Sequence, residues 1–245
     1  MLKGVVFDLD GVIVDSHPLH KQAWRAFLAY LGKEVSEADL DFIFEGRKRR
    51  EILIHFLGDL SDSDIQLYGQ KKDEFFRQVS ADLKPISGTL EFIKSVRQAG
   101  LSMAVATSAS RQRTLWTLEQ LELAESFSVV VSGDDVALGK PNPATYRIAS
   151  QRLSLHPKFL LALEDSVSGV RSAISAGLRC IGIVPRENAS SLMEAGADRV
   201  VQTLMNLSIQ DLEEMFSSTR GAPQHVKSQH VKFAPIPRHQ VSTQE

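Results

Sequence analysis

Two different hydrophobic patterns follow one another along the chain. After a short apolar run at residues 5–7, apolar side chains recur every three to four positions as far as about residue 79. This spacing is typical of amphipathic helices. It predicts helices at about residues 17–31, 36–44, 47–56 and 61–79. Residues 16–80 show no strand pattern, so the first strand is followed by an all-helical segment.

A second pattern begins near Pro85 and Gly88, where short apolar runs start to alternate with helical periods. The apolar runs predict strands at about residues 101–106, 126–131, 159–163, 180–184 and 199–201. The helical periods predict helices at about residues 89–100, 111–121, 144–153, 167–176 and 209–216. Alternating strands and helices indicate a parallel sheet covered by helices on both faces, so an α/β fold is expected.

These patterns divide the chain into three parts. Residues 1–15 and 81–216 are expected to form one α/β core domain, and residues 16–80 a helical domain inserted into it. Residues 217–245 are polar, rich in Pro, Gln, His and Ser, and without a sustained period. Such a composition predicts a disordered C-terminal tail. The tail contains three histidines whose spacing fits no defined metal site, His225, His230 and His239.

Composition and charge favour a small-molecule partner. The chain is 43% hydrophobic and 24% charged, as in ordinary globular proteins, and its net charge is -2. This balance offers no basic field for nucleic acid. No apolar segment approaches the ~18 residues that span a bilayer, and the N-terminus lacks the pattern of a signal peptide. A cytoplasmic protein without nucleic-acid or membrane partners is therefore expected, and nothing requires more than a monomer.

Candidate chemistry begins at the end of the first strand. Asp8 and Asp10 follow the apolar run, and alternation along an extended chain places them on the same side, two residues apart. Carboxylates that close repel each other, so a fold that keeps both compensates them with a cation or a shared proton. Asp-Leu-Asp-Gly is also ordinary turn chemistry after a strand. These four residues alone do not distinguish the two interpretations.

Further polar groups follow later strands: Thr107 with Ser108, Lys140 in a Gly-Lys-Pro loop, and Glu164 with Asp165. Each has an ordinary explanation, as a helix cap, a solvated loop residue or the charged start of a loop. In an open parallel sheet, however, ligands bind outside the carboxyl ends of the strands. Together with Asp8 and Asp10, these groups at one edge of a sheet indicate a functional site.

Phosphoryl transfer is the chemistry that needs this set of residues. A carboxylate can attack phosphorus and form an aspartyl-phosphate, which splits one difficult step into two. An oxygen-ligated cation such as Mg²⁺ screens the incoming phosphate and suits a cluster of acids without His or Cys. Lysine neutralises charge on the transferring group, while a hydroxyl and helix N-terminal amides hold its oxygens. A second acid can protonate the leaving oxygen and later activate water.

The same residues resemble the motifs of the haloacid dehalogenase superfamily of phosphatases and phosphomutases. The resemblance covers about residues 2–205, and four motifs occur in order: DLDGVIVD (8–15), VATS (105–108), GKP (139–141) and LEDS (163–166). It implies a Rossmann-like parallel-sheet core with a helical cap domain, residues 16–80, inserted after the first strand. The cap of this family closes over the site and reads the leaving group.

The resemblance also implies roles for the motif residues. Asp8 would be the nucleophile and Asp10 the general acid/base. The phosphoryl group would be bound by Thr107, Ser108 and Lys140. Because position 10 is an aspartate, phosphoester chemistry is expected rather than dehalogenation or phosphonate cleavage.

Magnesium is the cofactor that the resemblance implies. The ion would be held by the Asp8 carboxylate, the Asp10 main-chain oxygen and Asp165, with Glu164 close by. All of these are oxygen donors, which hard divalent cations prefer. The expected partners are therefore Mg²⁺ and a small phosphorylated metabolite.

Within the superfamily, the cap is similar to that of β-phosphoglucomutase and its phosphatase relatives. The similar spacings are those of His20, Trp24, Gly46, Arg49 and Lys72. In the mutase the histidine and the lysine work near the acid/base. The arginine grips a distal phosphate there, a role that suits its bidentate fork. The run RKRR (47–50) has an equally ordinary interpretation as the solvated face of a helix.

One departure separates the chain from the mutase. There the second motif is followed by a Ser-Lys-Asn element that grips phosphate, whereas TSASRQ (107–112) offers Ser110 and Arg111. We therefore expect a Mg²⁺-dependent phosphatase of small phosphorylated metabolites, sugar phosphates above all, that acts through an aspartyl-phosphate. The alternative is a β-phosphoglucomutase that interconverts β-glucose 1-phosphate and glucose 6-phosphate.

A phosphorylation-switched signalling module of the receiver type is a remote alternative. That fold also carries acids, a hydroxyl and a lysine at strand ends, but it places the phosphoaccepting aspartate on a later strand than the first. It also does not need a helical segment such as residues 16–80. Both differences favour an enzyme.

Overall fold

A parallel sheet of six strands forms the centre of the molecule. The computed structural model describes residues 1–44, 48–81, 83–184 and 189–217. The strands are β1 (Gly4–Phe7), β2 (Ser102–Ala106), β3 (Val129–Val131), β4 (Leu160–Glu164), β5 (Arg179–Ile183) and β6 (Arg199–Val201). Their order across the sheet is β3-β2-β1-β4-β5-β6, and each neighbouring pair is parallel.

Helices that directly follow β1 form a cap over the carboxyl edge of the sheet. They are α1 (His17–Tyr30), α2 (Glu37–Asp41), α3 (Arg49–Leu57) and α4 (Asp62–Val79). The cap has its own hydrophobic cluster, in which the buried Phe27 ring meets Trp24, Tyr68 and Phe75 edge to face. The prediction of an all-helical segment after the first strand is confirmed.

Local sequence explains where two of the cap helices begin. Ser36 caps α2 and Ser61 caps α4, because each hydroxyl accepts a hydrogen bond from the backbone N–H three residues on. Asp39 and Asp64 accept the N–H of the capping serine in return, which completes a capping box in each case. The predicted start at Ser36 is confirmed, although the helix gives way to a 3₁₀ turn at Phe42–Phe44.

The first strand occupies the middle of the sheet, between β2 and β4. Phe7, the last residue of β1, is level with Val105 of β2 and Leu163 of β4. Parallel strands aligned in this way end at the same edge, so the residues that follow them emerge close together. The strand order therefore brings Asp8 next to the segments that follow β2 and β4.

Helices cover both faces of the sheet, since successive strand side chains point to opposite sides. Val5 and Phe7 pack into one apolar cluster. Its helices are α5 (Thr89–Gln98), α6 (Arg111–Gln120) and α10 (Ile209–Ser217). Val6 packs into the other cluster, with α7 (Ala144–Arg152), α8 (Val167–Ala176) and α9 (Ala189–Glu194). The predicted parallel sheet with helices on both faces is confirmed.

Two predictions about core elements are corrected, and one helix was not predicted. The strand predicted at residues 126–131 is only Val129–Val131, because the Ser126 N–H donates to the Leu123 carbonyl (2.9 Å) within a 3₁₀ turn. The short helix α9 has a single buried residue, Leu192, too weak a periodic signal for the sequence to predict it. β4 extends through Glu164, which places this carboxylate within the strand rather than after it.

Some predicted features lie outside the described residues. Gly46, expected in the cap close to Arg49, is one of them, as are residues 218–245 of the predicted tail. Helix α10 continues to Ser217, the residue at which the tail is predicted to begin. Among the described residues, no helix combines the length and the apolar character needed to cross a membrane.

The cap cluster predicts a measurable contribution of Phe27 to stability. Phe27→Ala should lower the free energy of unfolding by ~3–5 kcal/mol, because it removes buried apolar surface and leaves a cavity. Leu67→Ala is the control, since Leu67 lies in α4 with 60% of its surface exposed and should change stability by less than ~0.5 kcal/mol. Urea unfolding followed by circular dichroism measures both. A loss below ~1 kcal/mol for Phe27→Ala would contradict a packed cap.

Candidate active site

A cavity of about 120 Å³ lies between the cap and the carboxyl edge of the sheet. Most of the predicted site residues line it: Asp8, Asp10, Thr107, Ser108, Lys140 and Asp165 from the core, with His20, Trp24, Arg49 and Lys72 from the cap. Glu164 lies behind this wall, in contact with Lys140. The structure therefore brings together the predicted site residues that it describes.

Asp8 is the first residue after β1, and its carboxylate is buried. Its Oδ1 accepts a hydrogen bond of 2.5 Å from the Lys140 ammonium. Burial raises the pKa of Asp8 to about 7, and the nearby Glu164 carboxylate adds to the rise although Lys140 opposes it. The ammonium therefore compensates only part of the negative charge that the fold concentrates here.

Lys140 links two acids at the centre of the site. Besides Asp8, its ammonium donates to a carboxylate oxygen of Glu164 and to the main-chain carbonyl of Ala106 (3.1 Å). These three acceptors match the three N–H donors of a lysine. Burial alone would lower the pKa of Lys140, but Asp8 and Glu164 raise it, so the side chain stays charged. A positive charge is thereby fixed beside Asp8.

Glu164 is fully buried at the end of β4 and accepts neutral donors as well as Lys140. The Tyr146 hydroxyl donates to Oε1 (2.6 Å), and Ser166 Oγ donates to Oε2 (3.1 Å). Space for the carboxylate exists because Gly169 has no side chain: a Cβ there would lie 1.9 Å from Oε2. The first turn of α8 therefore packs tightly around this acid.

Three carboxylates form the cluster that could hold a metal ion. Oxygens of Asp8, Glu164 and Asp165 lie within 4.8 Å of one another, and oxygen donors are the ligands that hard divalent cations prefer. Burial raises the pKa of Asp165 well above its ordinary value, and Asp8 and Glu164 raise it further. Gly11, at a φ of +78°, approaches so closely that a Cβ would lie 1.9 Å from Asp165 Oδ2. A divalent cation would relieve the repulsion within this cluster.

Asp10 accepts hydrogen bonds from several side chains. Arg113 donates to both of its oxygens (2.9 Å and 2.5 Å), and Ser16 Oγ donates to Oδ1 (2.5 Å). His20 Nε2 lies 3.3 Å from the same Oδ1. Burial would raise the pKa of Asp10, but Arg113 and His20 hold it well below its ordinary value. Asp10 is therefore an ionised carboxylate, the form that accepts a proton.

His20 and Lys72 reach Asp10 from the cap. Lys72 Nζ lies 2.9 Å from His20 Nδ1, and the imidazole stacks on the Phe76 ring with the centroids 4.5 Å apart. Burial lowers the pKa of His20 to about 3, and the charges of Lys72 and Arg113 add to this effect. A neutral imidazole that accepts at Nδ1 donates from Nε2, so Lys72 directs the His20 proton toward Asp10.

The two arginines at the start of α3 have different surroundings. The Arg49 guanidinium enters the cavity, where it donates to both oxygens of Asp73 (2.6 Å each) and to Ser110 Oγ (3.0 Å). Arg50 points outward to Asp62, and both of these side chains are mostly exposed. Arg49 therefore lines the cavity at Asp8. Arg50 lies on the exposed face of α3, in line with the alternative interpretation of the run RKRR as the solvated face of a helix.

Two basic residues of the cap also contact the core. Lys48 Nζ donates to the main-chain carbonyls of Val136 (2.5 Å) and Ala137 (3.3 Å), in the loop between β3 and α7. Arg49 contacts Ser110, the capping residue of α6. These contacts hold the cap closed over the cavity.

Thr107 and Ser108 begin the loop between β2 and α6. The Thr107 N–H donates to the Val131 carbonyl (2.9 Å), and Thr107 Oγ1 accepts the N–H of Ala109 (3.1 Å). Because Oγ1 acts as an acceptor in this turn, its O–H donor can serve a further group. The N-terminus of α6 follows immediately and is capped by Ser110. A hydroxyl beside a helix N-terminus suits an anionic ligand.

Arg113, which lines the cavity beside Asp10, is a functional candidate that the sequence analysis missed. The sequence offers Arg111 where the mutase has its Ser-Lys-Asn element, but the Arg111 side chain does not line the cavity. Its guanidinium lies 3.9 Å from Asp135 and its side chain is 53% exposed. The two arginines are two positions apart, about 200° around a helix, so they face opposite sides. One signal in the sequence could have indicated Arg113: it lies in the first turn of the helix predicted after β2, and that turn begins at the carboxyl edge of the sheet.

Two further residues of the site belong to no motif or pattern that the sequence analysis could have used to identify them. Asp73 pairs with Arg49, and Tyr146 donates to Glu164. Both lie within helices, where an acid or a tyrosine is ordinary, and their partners come from other elements. Only the packing of those elements identifies them.

The arrangement can hold an oxyanion against a nucleophile. Along one wall, Asp8, Lys140 and Thr107 offer a carboxylate, a fixed positive charge and a hydroxyl donor. Asp10 adds a group that can move a proton. From the cap, Arg49 offers a second site of positive charge.

Known proteins resemble this chain over most of its length. A phosphorylated carbohydrates phosphatase from Thermotoga maritima is 36% identical over 206 residues, which cover 82% of this chain and 94% of that protein. The crystal structure of CbbY from Rhodobacter sphaeroides in complex with phosphate has a TM-score of 0.77 and 29% identity, over 87% of this chain and 100% of that one. A structure of CbbY in complex with xylulose-(1,5)bisphosphate also has a TM-score of 0.77 and 29% identity, over 86% and 99% of the two chains.

A family model described as haloacid dehalogenase-like hydrolase matches residues 5–183. The match runs from β1 to β5, so it contains the cap helices and all four motifs. It covers well over half of the chain, and the resemblance inferred from the motifs is confirmed. This chain belongs to the haloacid dehalogenase-like hydrolases.

Proposed function

We propose that this protein is a Mg²⁺-dependent phosphatase of small phosphorylated metabolites, with sugar phosphates as its substrate class. The observation that carries the proposal is the pairing of the buried Asp8 carboxylate with Lys140 (2.5 Å) at the wall of a cavity closed by the cap. A nucleophilic carboxylate beside a fixed positive charge suits attack on phosphorus. Membership of the family supports the same reaction.

In the proposed first step, a carboxylate oxygen of Asp8 attacks the phosphorus while the bond from phosphorus to the leaving oxygen breaks. The electron pair of that bond stays with the leaving oxygen, which takes a proton from Asp10. Because Asp10 is ionised in this structure, it must first take up that proton before it can donate it. Lys140 and Thr107 stabilise the negative oxygens of the transferring group. The products are an aspartyl-phosphate on Asp8 and a free alcohol.

In the proposed second step, water attacks the phosphorus of the aspartyl-phosphate and gives a proton to Asp10. The bond from phosphorus to Asp8 breaks, and its electron pair returns to the carboxylate as phosphate leaves. The ionised state of Asp10, which Arg113 maintains, suits this base role. The proton that Asp10 accepts is the one it delivers to the leaving oxygen in the next turnover.

We propose that Mg²⁺ is bound by Asp8, Asp165 and the main-chain oxygen of Asp10, with Glu164 close by. The donor set fits, because it consists of oxygens and the carboxylate cluster carries more negative charge than Lys140 compensates. When bound, the ion screens the incoming phosphate dianion from the nucleophile and stabilises charge on the transferring group. The protein residues supply the nucleophile, the proton transfer and the orientation.

A second cavity, of about 450 Å³, adjoins the first and suits a hydroxyl-rich leaving group. Arg49, Ser108 and Ser110 line both cavities and form their shared wall. Side chains able to bind hydroxyls line the outer one, among them Gln66, Gln70, Gln112 and Asp134. A carbohydrate with its phosphate at Asp8 would extend toward these groups. The relative that acts on phosphorylated carbohydrates and the CbbY complex with a sugar bisphosphate support the same class.

A β-phosphoglucomutase is the second candidate, and Arg49 is the observation in its favour. A mutase must hold a distal phosphate while the sugar reorients, and Arg49 enters the cavity from the cap. In this structure its guanidinium is engaged by Asp73 and Ser110. ³¹P NMR of β-glucose 1-phosphate separates the two functions. Free phosphate selects the phosphatase, and glucose 6-phosphate without equimolar phosphate selects the mutase.

Replacement of the proposed nucleophile should abolish turnover. Asp8→Asn removes the nucleophilic charge at almost unchanged size, and kcat for glucose 6-phosphate should fall by at least about 10³-fold. Asp41→Asn is the control, because Asp41 is an exposed surface partner of Lys21 and should keep full activity. A colorimetric assay of released phosphate measures both variants. Retained turnover in Asp8→Asn would exclude the covalent mechanism.

Removal of divalent cations should stop turnover reversibly. EDTA should abolish phosphate release and Mg²⁺ should restore it, because the acidic cluster repels a phosphate dianion unless a cation compensates it. Asp165→Asn should raise the Mg²⁺ concentration for half-maximal activity by at least about tenfold. In a Mg²⁺ titration, Asp41→Asn should behave as the wild type. Full activity in EDTA would rule out the metal.

The effect of Arg49 should depend on the number of anionic groups in the substrate. Arg49→Ala should lower kcat/KM for a sugar bisphosphate by roughly 10- to 100-fold, as for lost hydrogen bonds to a charged group, and for the monophosphate by less than about threefold. Arg25→Ala is the control, with the same loss of charge at a half-exposed cap side chain that pairs with Glu37 and lines neither of the two cavities. Steady-state kinetics on the two phosphates of one sugar makes the comparison. Equal losses on both would contradict a role in recognition of the second anionic group.

A further inference from the structure

We propose that Arg113 positions Asp10 for proton transfer to the leaving oxygen, by holding the carboxylate in one orientation through a two-point contact. The inference rests on the proposed function, in which Asp10 delivers that proton. Arg113 lies outside the four sequence motifs. Its place in the fold, rather than its place in the chain, points to this role.

Arg113 is buried at the carboxyl edge of the sheet. It lies in the first turn of α6, three residues after the capping Ser110, and 6% of its surface is exposed. One guanidinium nitrogen donates to Asp10 Oδ1 at 2.9 Å and the other to Oδ2 at 2.5 Å. The parallel pair fixes both the position and the plane of the carboxylate. A lysine ammonium would supply the positive charge through a single nitrogen, so it would not fix the plane of the Asp10 carboxylate.

The two oxygens of Asp10 are not equivalent. Oδ1 accepts from Ser16, His20 and Arg113, whereas among the described residues Oδ2 accepts from Arg113 alone. A carboxylate oxygen has two lone-pair sites, so Oδ1 is saturated while Oδ2 keeps one site. Oδ2 is therefore the oxygen that carries the proton to the leaving group.

Contacts with the cap hold Arg113 in place. Its guanidinium carbon lies 5.3 Å from the centroid of Phe76 in α4, a cation–π contact, and His20 stacks on the same ring. Asp10 is thus held by the core through Arg113, and by the start of the cap through Ser16 and His20. The Phe76 ring contacts both Arg113 and His20, and so links the core group and the cap group that hold Asp10. The orientation of Asp10 consequently depends on a closed cap.

A positioning role has a kinetic consequence that depends on the leaving group. A sugar alkoxide needs the proton of Asp10 as its bond to phosphorus breaks. By contrast, p-nitrophenolate is a stable anion and leaves with the electron pair alone. In both reactions Asp8 forms the same bond to phosphorus. Loss of Arg113 should therefore slow the first reaction and spare the second.

The experiment measures the first step in single turnovers, with the full-length enzyme and Mg²⁺ in excess over the substrate. Arg113→Ala should slow glucose release from glucose 6-phosphate by at least about 10²-fold, and p-nitrophenolate release from p-nitrophenyl phosphate by less than about threefold. Arg113→Lys should recover part of the loss on glucose 6-phosphate. Arg111→Ala is the matched control from the same turn of α6, and it should equal the wild type on both substrates.

Equal slowing of both substrates by Arg113→Ala would overturn the proposal, and so would unchanged rates on both. Thermal unfolding shows whether each variant folds. If Arg113→Ala does not fold, Arg113→Lys makes the same comparison, with a smaller loss that is still confined to glucose 6-phosphate. A wild type that releases phosphate from no member of a panel of sugar phosphates would refute the proposed function, and this inference with it, before any variant is measured.

Discussion

The crowding of carboxylates around Lys140 is the constraint on which the rest of the structure depends. Parallel pairing of β1 with β4 brings Asp8, Glu164 and Asp165 together despite their mutual repulsion. Lys140 offsets part of this charge, and burial makes the remainder unfavourable. Close packing by glycines of the neighbouring loop and helix leaves the acids little room to move apart. The same excess of negative charge that would destabilise an ordinary core suits a divalent cation and the chemistry of a phosphoryl group.

The cap completes this site with polar groups that are already paired with one another. Arg49 is engaged by Asp73, and His20 by Lys72, within the cap itself. Ser110 and Arg113 extend these pairs to the core, so the closed cavity is lined by side chains in defined orientations. Groups held in this way lose little conformational entropy when a substrate binds. Orientation of the reacting groups is itself a large part of what lowers a barrier.

The core motifs could be predicted because each follows a strand of a parallel sheet. For Asp8, Thr107 and Asp165, position after an apolar run was enough to place them at one edge. The starts of α2 and α4 were equally readable, since a capping box is a local pattern. Arg113 could not be found in this way, because its partner Asp10 is 103 residues away in the chain. Neither the pairing nor its bidentate geometry leaves a trace in the local pattern.

The sequence by itself determined the fold class, the family and the edge of the sheet where the candidate chemistry collects. Hydrophobic period, capping and the order of strands and helices are local or topological properties of a chain. Only the tertiary structure decided which of several similar side chains face the cavity, Arg49 rather than Arg50 and Arg113 rather than Arg111. The direction of a side chain depends on how its helix is rotated against partners that are distant in sequence. A one-dimensional pattern does not contain that rotation.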